Sequence, residues 1–224
     1  MARRAYTSSP MRPWTLTPCL GAALAALLLA TPVHALESIW SRLPRGIAAD
    51  SLGPALRRLE AGGPRSTSAA AAFVLGQFHH ARGEYRLAAD AFGRAAARLT
   101  AYERAESRYR QGLAWLGAGD GGRARAAFEE VSALSDPLRP LAQLGLAQAL
   151  ALTGEPEREL ETLRRLLDGS AGEAEPAALE MYAALCEREH RTADAVVARN
   201  RLLRRWPRSL EAARLGPQPP LVQP

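Results

Sequence analysis

The amino-acid sequence predicts an all-α protein in which about four helix-turn-helix units stack in a row. Hydrophobic residues make up 47% of the 224 residues but aromatic residues only 6%, and alanine and leucine, both strong helix formers, supply most of the rest. Turn signals recur at Gly83, Gly119, Gly154 and His190, at spacings of 36, 35 and 36 residues. A helix-length segment lies on each side of every turn, so the sequence predicts a repeated helical hairpin.

Residues 1–35 have the pattern of a secretory signal peptide. Three arginines lie among the first twelve residues, an apolar run covers residues 20–30, and a small-residue cleavage site ends at Ala35. The run of 11 residues is shorter than the roughly 20 that a transmembrane helix needs. We therefore expect export, cleavage after Ala35 and a periplasmic location, with an uncleaved membrane anchor as the alternative.

Charge and cysteine content restrict the function classes. All 29 basic residues are arginine, and removal of the three in the signal peptide leaves 26 basic against 23 acidic residues, a net charge of +3. So small an excess predicts no nucleic-acid partner. Cys186 is the only cysteine after cleavage, and we expect it to be a small buried hydrophobic residue, with a reactive thiol as the alternative.

Residues 36–66 are expected to form an N-terminal capping helix and a linker. Leu52, Leu56 and Leu59 have helical spacing, with Ser51 as the predicted N-cap and a glycine-proline stop at residues 61–64. A solenoid needs such a cap because a terminal unit cannot bury its apolar face alone. The helix is therefore predicted to cover the open end of the first unit.

The first unit, with predicted helices at residues 68–82 and 84–99, carries the clearest packing pattern. Gly76 and Ala88 are small and leave room for the paired helix to approach closely, and Phe92 fills the space that they leave. Leu75 and Ala95 flank these positions on the two helices. The alternation of small and large residues predicts one tightly packed hairpin.

The second unit repeats this pattern. It is predicted to begin with a capping box in which Thr100 and Glu103 each satisfy an amide of the other residue. The equivalent packing positions are Gly112, Trp115, Ala124 and Phe128.

The third and fourth units depart from the pattern. The third is predicted to begin at Asp136-Pro137, an N-cap followed by a proline, and it has Glu159 at the small position and Leu163 at the phenylalanine position. The fourth has Ala195 at its small position, Arg199 in place of phenylalanine, and Pro207 at its end. Either its helix pair is rotated or it is a closing unit with a solvated outer surface. Residues 210–224 are predicted to be a proline-rich, unfolded tail.

These residues resemble the tetratricopeptide repeat (TPR) family, over residues 67–209 with units at about 68–101, 102–135, 136–172 and 173–207. The resemblance implies a right-handed TPR-type α-solenoid. The segment 204–212, Arg-Arg-Trp-Pro-Arg-Ser-Leu-Glu-Ala, is similar to a link that recurs in periplasmic and outer-membrane-associated members.

The resemblance also implies a concave groove, lined by the first helix of each unit, that receives a protein or peptide segment. The Lys/Asn/Arg clamp by which some members hold a terminal carboxylate is missing. Apolar residues at helical spacing are often core, so Phe73 and Leu144 have inter-unit packing as an alternative role. The implied groove residues are Phe73, Gln77, His80, Glu106, Tyr109, Leu113, Leu141, Leu144 and Gln148, followed by Ala177, Glu180 and Ala184.

The sequence predicts no catalytic, cofactor or metal site. His79 and His80 are adjacent, so on a helix they point about 100° apart and cannot share a metal as an i, i+4 pair would. His79 is expected to pack between helices. The glycine-rich run 117–122 follows a predicted helix instead of a strand, so we interpret it as a turn and not as a nucleotide-binding loop.

We therefore expect an exported, non-enzymatic TPR scaffold for protein–protein interactions in the bacterial periplasm or cell envelope. Peripheral association with the envelope is compatible with this hypothesis, and the sequence does not indicate the oligomeric state. One alternative is an accessory subunit of an envelope machine for cell-wall synthesis, secretion or pilus assembly. The other is a helical cell-wall-active enzyme, for which the acidic cluster it would need is missing from the sequence.

Overall fold

The computed structural model describes residues 49–134 and 137–215, which form α-helices and one short 3₁₀ turn, without a β-strand in either stretch. The predicted signal peptide, its cleavage site, residues 36–48 and the tail from residue 216 lie outside the described residues. The helices are α1 (Ala49–Gly62), α2 (Arg65–Ala81), α3 (Tyr85–Ala96), α4 (Ala101–Gly117), α5 (Gly121–Leu134), α6 (Arg139–Thr153), α7 (Pro156–Asp168), α8 (Glu175–Arg188), α9 (Thr192–Arg205) and α10 (Leu210–Arg214).

Four helical hairpins, α2/α3, α4/α5, α6/α7 and α8/α9, follow one another along the chain. Each helix of the four hairpins packs most extensively against its neighbours in sequence, so the second helix of one hairpin also contacts the first helix of the next. This nearest-neighbour packing is the defining property of a solenoid. The all-α prediction of about four stacked helix-turn-helix units is confirmed for the described residues.

The four turns within the hairpins share one backbone geometry. Gly83, Gly119, Gly154 and His190 have φ angles of 72°, 75°, 72° and 57°. In each turn, the residue that follows the left-handed residue donates its N–H to the carbonyl five residues before it, at 2.7–3.0 Å. This hydrogen bond satisfies a carbonyl at the end of the first helix that has no partner within the helix. Glycine adopts this left-handed conformation at no steric cost, whereas His190 adopts it with the strain of a β-carbon.

The aromatic signature residues lie against glycines of the facing helices. A β-carbon on Gly76 would lie 2.7 Å from Phe92 Cδ1, and one on Gly112 would lie 2.7 Å from Phe128 Cε1. Neither position therefore tolerates a larger residue at the present helix separation. The other signature side chains that the structure places in the core are Leu75, Ala88, Ala95, Trp115, Ala124 and Ala195, whereas Pro207 lies exposed in the link after α9.

Helix α1 packs on α2 at the amino-terminal end of the row. Its Leu52 and Leu56 form a cluster with Ala71 and Leu75 of α2. The predicted N-cap at Ser51 is wrong, because α1 already begins at Ala49.

One further helix start and one predicted capping interaction differ from the prediction in the first two units. Helix α2 begins at Arg65, after Pro64, which lies at the N-cap position. Ser68 lies inside the helix, where its hydroxyl donates to the Glu60 carbonyl at 2.6 Å. Thr100 is the N-cap of α4, but its side chain makes no capping hydrogen bond, so the predicted capping box with Glu103 does not form.

The third unit also begins later than predicted. Helix α6 starts at Arg139, with Leu138 as its N-cap and Pro140 in its first turn; Asp136 lies outside the described residues. A start at Pro137 would place Pro140 at the first position whose N–H must bond within the helix, and proline has no N–H to donate. Pro140 therefore sets the start of this helix.

Ion pairs occupy the positions where the third and fourth units lack the signature residues. Glu159 of α7 is 3% exposed, and Arg188 of α8 donates to its Oε2 at 3.2 Å. Arg199 of α9 is half-buried, and its guanidinium lies 2.5 Å from the Glu187 carboxylate of α8. Both departures from the pattern therefore link neighbouring helices through charge instead of apolar contact.

The prediction of an unfolded tail is wrong for residues 210–214, which form the short helix α10. Helix α10 closes the carboxyl-terminal unit, because its Ala212 is buried in the same cluster as Leu185 and Leu202. Cys186 is fully buried, in agreement with its expected role as a small hydrophobic residue. Within residues 49–134 and 137–215, no helix combines the length and the apolar character that crossing a membrane requires.

Candidate partner-binding groove

The first helices of the units, α2, α4 and α6, bring equivalent predicted groove residues to one face. Gln77, Leu113 and Gln148 each lie six residues before the left-handed glycine of their own unit. Since the units stack in order, these three side chains follow one another along the row. Gln77 is buried, whereas Leu113 and Gln148 are half-buried.

A cavity of about 150 Å³ opens on this face between the first and second units. We call it the inner cavity. Its apolar lining comes from Ala81, Phe92 and Leu113, and its polar lining from Gln77, His80 and Arg110. The structure thus brings three predicted groove residues, Gln77, His80 and Leu113, together around one opening.

Arg110 is a groove residue that the sequence reasoning missed. Its Nε and Nη2 donate to one carboxylate oxygen of Glu106 at 3.3 and 3.2 Å, and its guanidinium carbon lies 5.6 Å from the centre of the Phe73 ring. The sequence did contain an indication of this role, because Glu106, Arg110 and Leu113 have the i, i+4, i+7 spacing of one helix face. Burial raises the pKa of the Glu106 carboxyl, and the Arg110 charge opposes that rise.

Phe73 belongs to the core and not to the groove surface. It is 5% exposed, its ring meets the Phe92 ring edge-on with centroids 5.4 Å apart, and Arg110 covers it. The groove assignment of Phe73 is therefore corrected to inter-helix packing. Leu144 is half-buried and packs against the carboxyl-terminal core cluster, so it too contributes to packing.

Tyr109 and Leu141 are intermediate between core and surface. The Tyr109 ring lies 5.8 Å from the Phe128 ring, centroid to centroid, and burial raises the pKa of its phenol, with Arg110 acting in the opposite direction. Leu141 packs against the same core cluster while remaining half-buried. Both side chains present part of their surface to the groove and anchor the rest in the core.

The two adjacent histidines have different environments. His79 is 8% exposed, and its Nδ1 lies 2.5 Å from Glu84 Oε2 at the start of α3. His80 is exposed, and its ring meets Tyr85 edge-on at 5.3 Å between centroids. Partial burial and the nearby Arg110 charge lower the pKa of His80, so the positive charge at the inner cavity at neutral pH is that of Arg110.

The face continues onto α8 with a less apolar surface. Ala177 is half-buried and Ala184 exposed, while Glu180 pairs with Arg214 of α10 at 3.1 Å. Among the described residues, no three His, Cys, Asp or Glu side chains cluster in a way that would hold a metal ion. The described part of the groove combines apolar surface with side-chain amides and the Arg110 guanidinium.

Several solved structures share this architecture. The chain superposes on MamA with a TM-score of 0.60 at 18% identity, covering 70% of this chain and 87% of MamA. It superposes on YrrB, described as a TPR protein with an unusual peptide-binding site, with a TM-score of 0.57 at 16% identity over 74% of this chain and 84% of YrrB. It superposes on Pseudomonas aeruginosa PilF with a TM-score of 0.51 at 17% identity, over 87% of this chain and 95% of PilF.

These similarities confirm the predicted TPR-type α-solenoid fold. No protein-family model and no curated protein sequence matches the chain.

Proposed function

We propose that this chain, a TPR solenoid by its fold, is an exported scaffold that binds a segment of a partner protein along the groove formed by α2, α4 and α6. The observation that carries the proposal is the inner cavity, which opens on the face where Gln77, Leu113 and Gln148 follow one another. Cavities of this kind, apolar with a few placed polar groups, are where ligand side chains bind.

Two features favour an extended peptide over a small molecule. Polar groups extend along the row of units beyond the inner cavity, from Gln77 of α2 to Gln148 of α6. Side-chain amides can both donate to and accept from a peptide backbone. The fold shared with YrrB, whose description reports a peptide-binding site, supports the same class of ligand.

The periplasmic location rests on the signal-peptide pattern of residues 1–35. Expression in a Gram-negative host, osmotic-shock fractionation and intact-mass measurement test it. We expect a soluble periplasmic species whose mass corresponds to a chain beginning at Leu36. A full-length mass in the membrane fraction would support the uncleaved anchor instead.

Partner binding is tested by capture from envelope extracts with the Leu113→Ala variant. Leu113 lines the inner cavity, whereas Leu87 lies 53% exposed on α3, so Leu87→Ala is the matched control. We expect Leu113→Ala to lose a prey that the wild type and Leu87→Ala retain, with helicity unchanged by circular dichroism.

Equal capture by all three proteins would contradict the groove assignment. The identity of the prey separates a general scaffold from an accessory subunit of an envelope machine. Turnover of purified peptidoglycan by the chain would support the enzymatic alternative.

A further inference from the structure

Arg110, which lines the inner cavity from α4, occupies a position that is a glycine in the next unit. Arg110 and Gly145 both lie nine residues before the left-handed glycine of their unit, Gly119 and Gly154. Each faces the signature phenylalanine of the preceding unit: Arg110 lines the cavity beside Phe92, and a β-carbon on Gly145 would lie 2.5 Å from the Phe128 ring.

This difference distinguishes the first junction, between the first and second units, from the second junction, between the second and third units. At Gly145 the helix backbone lies directly against Phe128, so the second junction is closed. At Arg110 a long side chain stands between the helices, and about 150 Å³ remains open above Phe92. An apolar cavity of about 150 Å³ can hold a benzene ring. The first junction therefore has room for one aliphatic or phenyl side chain.

Among the described residues, the charge in the cavity lining is that of Arg110, whose guanidinium pairs with Glu106 outside the lining. Of the six described residues that line the cavity, Arg110 is charged, Gln77 and His80 are polar, and none is acidic. Glu106 binds Arg110 at the Nε and Nη2 edge, and the Arg110 side chain keeps 30% of its surface exposed. A guanidinium has five N–H donors in a planar fork, so it can bind a second carboxylate beside the first.

We propose that the inner cavity recognises a partner segment in which an apolar side chain is followed or preceded, within about two residues, by an aspartate or glutamate. The apolar side chain fills the space above Phe92 between Ala81 and Leu113. The carboxylate accepts hydrogen bonds from Arg110. This inference rests on the proposed function, because it specifies the chemistry of the segment that the groove binds.

The test begins with selection from a random peptide library displayed on phage, with the purified chain immobilised. We expect the enriched peptides to carry the apolar–acidic pair. A synthetic enriched peptide, labelled with fluorescein, is then titrated by fluorescence polarisation. Replacement of its acidic residue by the amide, or Arg110→Gln in the protein, should each weaken binding about tenfold.

The double-mutant cycle decides whether the two groups interact. If the carboxylate contacts Arg110, the Arg110→Gln variant should bind the amide peptide and the acidic peptide with the same affinity. Arg86, which is exposed on α3, provides the matched control: Arg86→Gln should leave affinity unchanged. The acidic-to-amide arm uses wild-type protein, so it remains decisive even if Arg110→Gln fails to fold.

Three outcomes are distinguishable. This inference would be overturned if the enriched peptides showed no preference for an acidic residue. It would also be overturned if replacing the acidic residue by its amide reduced the affinity for wild type and for Arg110→Gln equally. Either result would leave groove binding intact. No enrichment over an uncoated surface would count against both this inference and the proposed function. The apolar–acidic pair with coupling to Arg110 would support both.

Discussion

Phe128 lies between two glycines, Gly112 of its own unit and Gly145 of the next. β-Carbons on these glycines would approach the ring to 2.7 and 2.5 Å, and Phe128 itself is fully buried. A ring enclosed in this way cannot move aside without displacing a helix. The separation of α4 from α5 and that of α5 from α6 therefore each depend on a glycine that has no β-carbon.

We expect Gly112→Ala to destabilise the protein by about 2 kcal/mol, because the added methyl overpacks the site against a buried ring. Gly122→Ala is the matched control: it is also a helical glycine, but the nearest atom to its β-carbon would be 3.8 Å away. Alanine is the better helix former, so Gly122→Ala should be neutral or stabilising by up to about 1 kcal/mol. Urea unfolding followed by circular dichroism measures both, and equal midpoints would contradict the packing argument.

Single residues show what the sequence could and could not reveal about the site. The resemblance to the TPR family implied Gln77, His80 and Leu113 as groove residues, and all three line the inner cavity. Phe73 occupies an equally good helix-face position, yet it is buried under Arg110. Whether a long neighbouring side chain folds over an aromatic ring depends on three-dimensional packing, and helical periodicity alone does not determine it.

Helices α8 and α9 are joined by a buried carboxylate. Glu175, at the start of α8, is 4% exposed and accepts hydrogen bonds from Arg201 at 2.6 and 2.8 Å, from Arg205 at 2.8 Å and from the Trp206 indole at 3.1 Å. Burial raises the pKa of Glu175, but these hydrogen bonds and the two arginine charges outweigh burial, so the net pKa is lowered.

We expect Glu175→Gln to destabilise the fourth unit by about 2 kcal/mol, because it removes a buried charge that the donors of Arg201, Arg205 and Trp206 are arranged to meet. A carboxyl whose pKa is lowered by folding stabilises the protein above its unfolded pKa, and this contribution is lost as pH falls through its folded pKa. The difference between wild type and variant should therefore shrink on acidification below about pH 4.5.

Glu173→Gln is the control, since Glu173 is exposed in the preceding 3₁₀ turn. Thermal unfolding between pH 3 and pH 7 measures the effect. A difference between wild type and Glu175→Gln that does not change with pH would contradict an electrostatic role.

At the scale of the elements, turns were easier to predict than helix starts. The left-handed turns at Gly83, Gly119 and Gly154 follow from a local property of glycine. The start of α6 follows from Pro140, three residues beyond the predicted Pro137, because two closely spaced prolines compete for the first turn and only the later one can occupy it.

The whole molecule is a row in which each element contacts mainly its neighbours. Helix α1 is bound to the first unit by the cluster that includes Leu56 and Leu75 and by the Arg94 guanidinium, which donates to Glu60 at 2.6 Å. In such a row, stability is approximately the sum of unit and interface terms, so a change at one end has local consequences.

We expect deletion of residues 36–63 to speed amide hydrogen exchange in α2 and α3 by about tenfold or more, corresponding to loss of roughly 1.4 kcal/mol or more of local stability. Exchange in α8 and α9 should be unchanged. Deletion of residues 209–224 is the mirror control, and it should affect α8 and α9 while leaving α2 unchanged. Mass spectrometry after peptic digestion measures the exchange rates at both ends of the row. Faster exchange across the whole chain in either deletion variant would contradict the nearest-neighbour account.

The central claim, that a partner segment lies along the first-helix face, is tested most directly by photo-crosslinking in living cells. Benzoylphenylalanine is placed singly at Leu113, Gln148 or Ala184 on α4, α6 and α8, and at Leu87, Arg158 or Val196 on α3, α7 and α9. We predict that the three first-helix positions crosslink one common partner and that the three second-helix positions do not. Crosslinks to that partner from the second-helix positions alone, or equally from both sets, would contradict the account.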